Sequence, residues 1–336
     1  MLPSCAATGN CNFMNDFYVP PKISIELTDK CNLRCIHCFR NSGIENTKSY
    51  ISLQLFNTII RKCAEANVKY ISYTGGEPFF NNRIFEVIEK TSYYKIPFSI
   101  STNGYRNLND YTDFFKVHKP SSIQVSLDGD EAAHNYIRKN DNAYQHLCEF
   151  LCWAKKVGIK CKVQFTAMPA NIESMIFLMD FLQKYSIDSM HIAVVLPVGR
   201  YNSMPTLTYE QLVYVNAIKE EIKERSQIKI TSTLFDRRKL FRYVEICIKN
   251  INHFILPIIK QNGFLHPYWG LSESWDIHDV QQYGIGFSNS LLSASYMVLK
   301  KAIQESLNAL QSQEIIDFNS FVYANYQKME GETKGC

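Results

Sequence analysis

The sequence has no apolar run approaching the ~18 residues that a membrane-spanning helix needs, so no membrane partner is expected. It has no basic, apolar leader at its N-terminus, which argues against secretion and for the cytoplasm. It has little net charge: 36 Lys and Arg against 32 Asp and Glu leave +4, and the basic residues are spread along the chain. The densest group, Asp236-Arg237-Arg238-Lys239, reads as a solvated helix end, so no nucleic-acid partner is expected. No low-complexity tract or flexible linker interrupts the 336 residues. With 46% apolar and 20% charged residues, the chain can build a sizeable core. Its length suits one large domain with an appendage, or two ordinary domains. The eleven cysteines are an odd number, and three crowd into eight residues. That pattern points to metal ligation or free thiols, not to disulfides.

From residue 22 to about 225, short β-branched runs alternate with longer amphipathic stretches. Strands are expected at Lys22–Thr28, Lys69–Thr74, Phe98–Thr102, Ser122–Leu127, Lys160–Ala167 and Met190–Leu196. Helices are expected at Leu53–Ala66, Asn82–Tyr94, Asn109–Val117, Ala143–Val157, Glu173–Tyr185 and Tyr209–Ser226. Asn171 and Thr208 stand where the N-caps of the last two helices belong. Regular alternation with apolar strands predicts an α/β fold built on a parallel sheet. Six βα units are too few to close an eight-fold barrel, so a partial, open (β/α)6 TIM-like barrel is expected. After residue 227 the alternation stops, and aromatic and Asn/Gln-rich stretches lead to one more helix-like segment, Tyr296–Leu310. The chain therefore reads as an N-terminal segment (1–21), a partial barrel (22–226) and a small α+β C-terminal region (227–336).

Ligands in parallel α/β architectures gather at the C-terminal ends of strands. Four unusual segments fall there: Cys31–Cys38, Gly75–Pro78, Ser101–Gly104 and Ser126–Gly129. Cys31-Asn-Leu-Arg-Cys35-Ile-His-Cys38 puts three thiols on one loop, and thiolates are soft ligands for iron–sulfur clusters or zinc. A [4Fe–4S] cluster takes four ligands, so three would leave one iron open to a small molecule. A closed zinc site wants a fourth protein ligand, and the adjacent His37 would strain the tetrahedron. Spacing alone leaves a cluster, zinc and free thiols all open. Cys63, Cys148, Cys152 and Cys161 read as buried small hydrophobes. Cys5 and Cys11 accompany no motif.

Cys-x3-Cys-x2-Cys after the first strand, with Gly75-Gly76-Glu77-Pro78 after the second, resembles the radical S-adenosylmethionine superfamily. The flanking Thr28-Asp29-Lys30 and Ser126-Leu127-Asp128-Gly129 are similar to it as well, and the likeness runs from residue 22 to about 200. The resemblance implies a [4Fe–4S] cluster on Cys31, Cys35 and Cys38, with S-adenosylmethionine chelating the open iron. It implies that the Gly75-Gly76-Glu77-Pro78 turn meets the methionine ammonium, the glycines letting backbone carbonyls approach and Glu77 matching the charge. Ser101, Thr102 and Asn103, and then Ser126 and Asp128, are expected at the ribose or the carboxylate. Arg138, in His134-Asn-Tyr-Ile-Arg138, is expected on the methionine carboxylate; taken alone it reads as a surface arginine. His37 is expected to shield the cluster, and Pro197-Val-Gly199-Arg200 to line the adenine. The chemistry implied is one-electron cleavage of the C5′–S bond, giving a 5′-deoxyadenosyl radical that abstracts hydrogen.

The Pro-Pro-x-Ile-Ser-Ile-Glu-Leu-Thr lead into the first strand most resembles the branch that modifies peptides and carries a SPASM or Twitch extension. A ribosomally made peptide or protein substrate and a low-potential electron donor, such as a flavodoxin or ferredoxin, are then implied. Two alternatives stay open: a small-molecule oxidoreductase or cyclase, and a degenerate protein that keeps the fold without turnover. In the extension, Cys247 and Gly263 fit the family frame, Tyr268 stands where a cysteine belongs, and Cys336 is the last residue. No auxiliary cluster is expected from that set.

Overall fold

The computed structural model describes residues 17–45, 50–226, 228–236, 239, 258–266, 278–283, 287–288, 315–317 and 320. The expectations for Cys5, Cys11, Cys247, Tyr268, Cys336 and Tyr296–Leu310 lie outside the described residues.

After the two-residue strand β1 (Phe17–Tyr18), strand–helix units follow one another. They run β2 (Lys22–Glu26), α1 (Leu53–Glu65), β3 (Tyr70–Thr74), α2 (Arg83–Tyr93), β4 (Phe98–Thr102) and α3 (Thr112–Val117). Next come β5 (Ser122–Ser126), α4 (Glu131–Arg138), α5 (Ala143–Val157), β6 (Cys161–Ala167), α6 (Leu178–Lys184), β7 (Ser189–Val194), α7 (Tyr209–Ser226) and β8 (Lys229–Ser232). Strands β2 to β8 are parallel, each paired with its neighbour in sequence, so the sheet is wound in one direction. This is the open, partial barrel expected, with one strand more than the six read from the sequence. β8 is short and polar, and that is why it was not legible.

The other edge of the sheet is extended as well. β10 (Ile258–Ile259) lies parallel to β2, and β11 (Phe264–His266) and β12 (His278–Asp279) continue antiparallel from it, while β9 (Leu234–Asp236) pairs apart from this sheet with Ile315–Asp317. The sheet has ten strands in the order β12-β11-β10-β2-β3-β4-β5-β6-β7-β8 and does not close.

The helices pack on one face because their apolar residues recur at helical spacing. α1 buries Phe56, Ile59, Ile60 and Cys63, and Ser52 caps it by accepting from Leu55 N–H. Thr208 and Gln211 cap α7 reciprocally: Gln211 N–H donates to Thr208 Oγ1 at 3.3 Å and Thr208 N–H to Gln211 Oε1 at 2.9 Å. Asn171 is not the cap expected. Its amide is buried, accepts from Met168 N–H and donates to the Asp128 and Thr166 carbonyls, tying the loops after β5 and β6 together. Of the four cysteines read as buried, Cys63 and Cys161 are; Cys148 is half-buried and Cys152 exposed, since it falls on the outer side of α5.

Candidate active site

The loop that leaves β2 carries Cys31, Cys35 and Cys38, and its backbone folds around their sulfurs. Leu33 N–H donates to Cys31 Sγ at 3.4 Å and Ser42 N–H to Cys38 Sγ at 3.3 Å. Cys31 and Cys35 are buried with Leu33, and Cys38 and Tyr105 pack against them. At the loop's far end Arg40 forms an ion pair with the buried Glu26 at the end of β2. The loop is thus closed on its own strand.

The Gly75–Pro78 turn holds the loop from the next strand. Gly76 N–H donates to Thr28 O at 2.7 Å and Glu77 N–H to Lys30 O at 2.8 Å. A Cβ on Gly75 would stand 2.3 Å from Thr28 O, and one on Gly76 2.2 Å from Lys30 O, so only glycine lets these two backbones meet. The Gly75 and Gly76 carbonyls accept no hydrogen bond among the described residues. Pro78 opens a 3₁₀ turn, Pro78–Phe80, that Glu77 caps. The Glu77 carboxylate is buried and accepts from Phe79 N–H (2.9 Å), Thr102 Oγ1 (2.8 Å) and Asn103 N–H (2.7 Å). Burial raises its pKa, against those three donors. Its side chain therefore faces the end of β4; three donors inside the protein already take up the charge that was assigned to a ligand ammonium.

Asn103 reaches back to the cysteine loop, donating to Asn32 Oδ1 at 2.9 Å and toward Cys31 Sγ at 3.8 Å. Thr102 is spent on Glu77, whereas the hydroxyls of Ser101 and Ser126 have no partner among the described residues. Asp128 and Arg138 form a buried ion pair, Nε to Oδ2 at 2.6 Å. Arg138 also donates to Cys35 Sγ at 3.5 Å. It is buried, not on the surface, because α4, capped by Asp130, delivers its last residue inward. Burial acts to raise the Asp128 pKa, but the Arg138 guanidinium outweighs it and holds the carboxyl below the ordinary range. His37 Nε2 stands 4.0 Å from Asp128 Oδ1, and burial pushes the imidazole down to about 4. His134 accepts from Asp128 N–H through Nδ1, and burial pushes it down to about 3. Both rings are neutral at pH 7, so Arg138 supplies the positive charge beside Cys35.

The loop after β7 closes the ring. Arg200 N–H donates to Cys38 O at 3.0 Å, and its guanidinium donates to Cys35 O at 2.7 Å, to Ser42 O and to Asn41 Oδ1. Gly199 has φ +59°, and a Cβ there would meet Phe39 O at 2.3 Å and Cys38 O at 2.4 Å. The loop expected to line the adenine bonds to the cysteine loop. Asn32 and the Glu26–Arg40 pair were missed because each works through a distant partner, which no local motif records.

The donor set suits a cluster. Among the described residues, no group of three or more His, Cys, Asp or Glu side chains is placed to hold one metal ion. Three thiols on one loop, each accepting a hydrogen bond from Leu33 N–H, Arg138 or Ser42 N–H, in partly apolar surroundings, match iron–sulfur ligation instead.

Residues 25–182 match the family model described as the Radical SAM superfamily. The matched region, just under half of the chain, is similar to radical SAM enzymes, which use a [4Fe–4S] cluster and S-adenosylmethionine. It is similar to the probable GTP 3',8-cyclase of Methanocaldococcus jannaschii, 26% identical over 230 residues, 65% of this chain and 72% of that protein. It is similar to the mycofactocin maturase MftC of Mycolicibacterium smegmatis, 30% identical over 116 residues, 34% of this chain and 29% of that protein. Streptococcus suis SuiB bound to S-adenosylmethionine shares the fold, with TM-score 0.66 at 18% identity over 83% of this chain. The chain spans 66% of SuiB's length, just under two thirds. SuiB bound to precursor peptide SuiA gives TM-score 0.66 at 17% identity over 84% of this chain and 66% of SuiB.

Proposed function

We propose that this chain cleaves S-adenosylmethionine at the Cys31–Cys35–Cys38 loop and acts on a ribosomally made peptide or protein. One observation carries the first half: four loops that follow different strands all bond to the same cysteine loop. When bound, the reduced cluster and S-adenosylmethionine supply a 5′-deoxyadenosyl radical able to abstract hydrogen from an unactivated carbon.

The chain's own residues would then do the following. Cys31, Cys35 and Cys38 hold the cluster. The unpaired carbonyls of Gly75 and Gly76 take the methionine ammonium, while Glu77 and Pro78 set the turn that aims them. Ser101 and Ser126, whose hydroxyls are uncommitted, bond the ribose. Asn103, Asp128 and Arg138 fix the cysteine loop. A low-potential flavodoxin or ferredoxin supplies the electron.

The peptide half is supported by a relative named as a maturase and by a neighbour in fold bound to its precursor peptide. The cyclase similarity covers more of this chain and favours a small-molecule substrate as the second reading. Anaerobically reconstituted protein should release 5′-deoxyadenosine, and a Cys31→Ala/Cys35→Ala/Cys38→Ala variant should release none; release by that variant would sink the assignment. Mass spectrometry of a short peptide encoded beside the gene and co-expressed, run against an incubation with GTP, decides between the substrates.

A further inference from the structure

Successive side chains along a strand point to opposite faces of a sheet. In β3 to β7 one set, including Ile71, Ile100, Val125, Val163 and Ile192, is fully buried under the helices. The other set is polar. The register sets Ser101, Gln124 and Lys162 side by side on β4, β5 and β6, and Ser126, Gln164 and His191 side by side on β5, β6 and β7. All six are half-buried. The inward face of an ordinary (β/α) barrel is filled by Val, Ile and Leu, which make it a packed core. Here it offers hydroxyls, amides, an imidazole and an amine, so this face is built to contact something that hydrogen-bonds.

Most of those groups have nothing to bond. Lys162, Gln124, Ser101 and Ser126 have no side-chain hydrogen bond or ion pair among the described residues. Gln164 has one long contact, 3.5 Å to Phe165 O. His191 is engaged by Thr231 Oγ1 at 2.8 Å, and burial keeps it neutral. The acids nearest the rim are already matched: Glu26 by Arg40, Asp128 by Arg138, Glu77 by three donors. Lys162 is half-buried, with Gln124 opposite it in register and Gln164 two residues on along the same strand, and it has no acidic partner among the described residues.

We propose that Lys162, with Gln124 and Gln164 beside it, binds an anionic group of the substrate. The chemistry is that of a carboxylate or a phosphate, the ammonium matching the charge and the amides donating to its oxygens. Lys162 is the second residue of β6, toward the strand end away from the cysteine loop, and the inference rests on the reading that the substrate extends from the cofactor along this face. If the substrate is a peptide, the group is an Asp or Glu side chain or its C-terminus; if a nucleotide, a phosphate.

The test is calorimetry on reconstituted protein without S-adenosylmethionine, with two probes: sodium tripolyphosphate and an N-acetylated Glu-Glu amide. One probe should bind, and Lys162→Met should weaken it about tenfold or more, the range for hydrogen bonds to a charged group. Lys162→Arg should retain most of the affinity. Lys229→Met, an exposed lysine in the same register row, should bind like wild type. Loss with tripolyphosphate identifies phosphate, and loss with the peptide identifies carboxylate. Equal affinity of wild type and Lys162→Met for both probes overturns the proposal, as does an equal loss in Lys229→Met. Failure of the wild type to release 5′-deoxyadenosine is a separate result, and it counts against the catalytic reading only.

Discussion

Glu77 shows how the fold itself holds a buried carboxylate beside the cysteine loop. Three donors converge on one carboxylate, two of them backbone N–H groups that have no other acceptor. Removing it strands them, at about 1–3 kcal/mol for each buried unsatisfied group. Glu77→Ala should therefore lower the unfolding free energy of the cluster-free protein by roughly 3 kcal/mol or more, read by urea denaturation. A variant as stable as wild type, yet deficient in S-adenosylmethionine binding, would return Glu77 to direct contact with the cofactor. Asp128 and Arg138 obey the same logic with charge on both sides. Arg138→Ala leaves a buried carboxylate unpaired and should cost ~3–5 kcal/mol, whereas Arg138→Met/Asp128→Asn should recover part of that loss. Two single variants and a double that simply add in denaturation would show that the pair is not coupled.

At the scale of the element, glycines separate backbone strain from loop contact. Gly158 ends α5 at φ +72°, and a Cβ there would meet only the side-chain tip of the exposed Lys119, Nζ at 3.2 Å. Gly158→Ala should cost about 1 kcal/mol, the strain of a left-handed residue, with iron content unchanged. Gly199→Ala carries the same strain and also drives a methyl into Cys38 O and Phe39 O. It should retain less iron than Gly158→Ala after identical reconstitution and desalting; equal iron contents would deny that the loop clamps the cysteines. Thr208 was legible as a helix start because capping is local, and Thr208→Ala should cost about 1 kcal/mol. The same locality explains what was read well and what was not. Apart from α4, the strands and helices from 22 to 226 announced themselves by period, and Cys31, Cys35, Cys38 and Gly75–Pro78 by spacing. Taken alone, Arg138 read as a surface arginine because α4 is eight residues long and polar; its burial follows from α4's docking on the cysteine loop, where Ile36 N–H donates to Ile137 O at 2.9 Å. Asn171 looked like a cap because its type suits one, while two carbonyls in other loops claimed it.

The whole molecule is joined across the point where the sequence pattern changes. β8 lies beyond residue 226 yet pairs with β7 over four residues, and Thr233 N–H donates to Ile192 O at 3.1 Å. β10, more than two hundred residues after β2 in sequence, covers the strand from which the cysteine loop springs. Buried Ile258, Ile259 and Leu265 belong with the described C-terminal residues, and Ile259 and Leu265 join the same core as Ile25 and Phe56. A chain ending at residue 226 would uncover the edges of β2 and β7 together, and an uncovered parallel edge with apolar neighbours invites association. Such a fragment should aggregate on gel filtration where the full chain does not, and it should lose iron because β2 anchors the loop. A monodisperse 1–226 fragment holding about four irons per chain, the complement of one [4Fe–4S] cluster, would mean that the barrel stands alone. The full chain should hold that same number, with a Cys247→Ala/Cys336→Ala variant unchanged. An iron count near twice that, falling by half in the double variant, would place a second cluster in the C-terminal region.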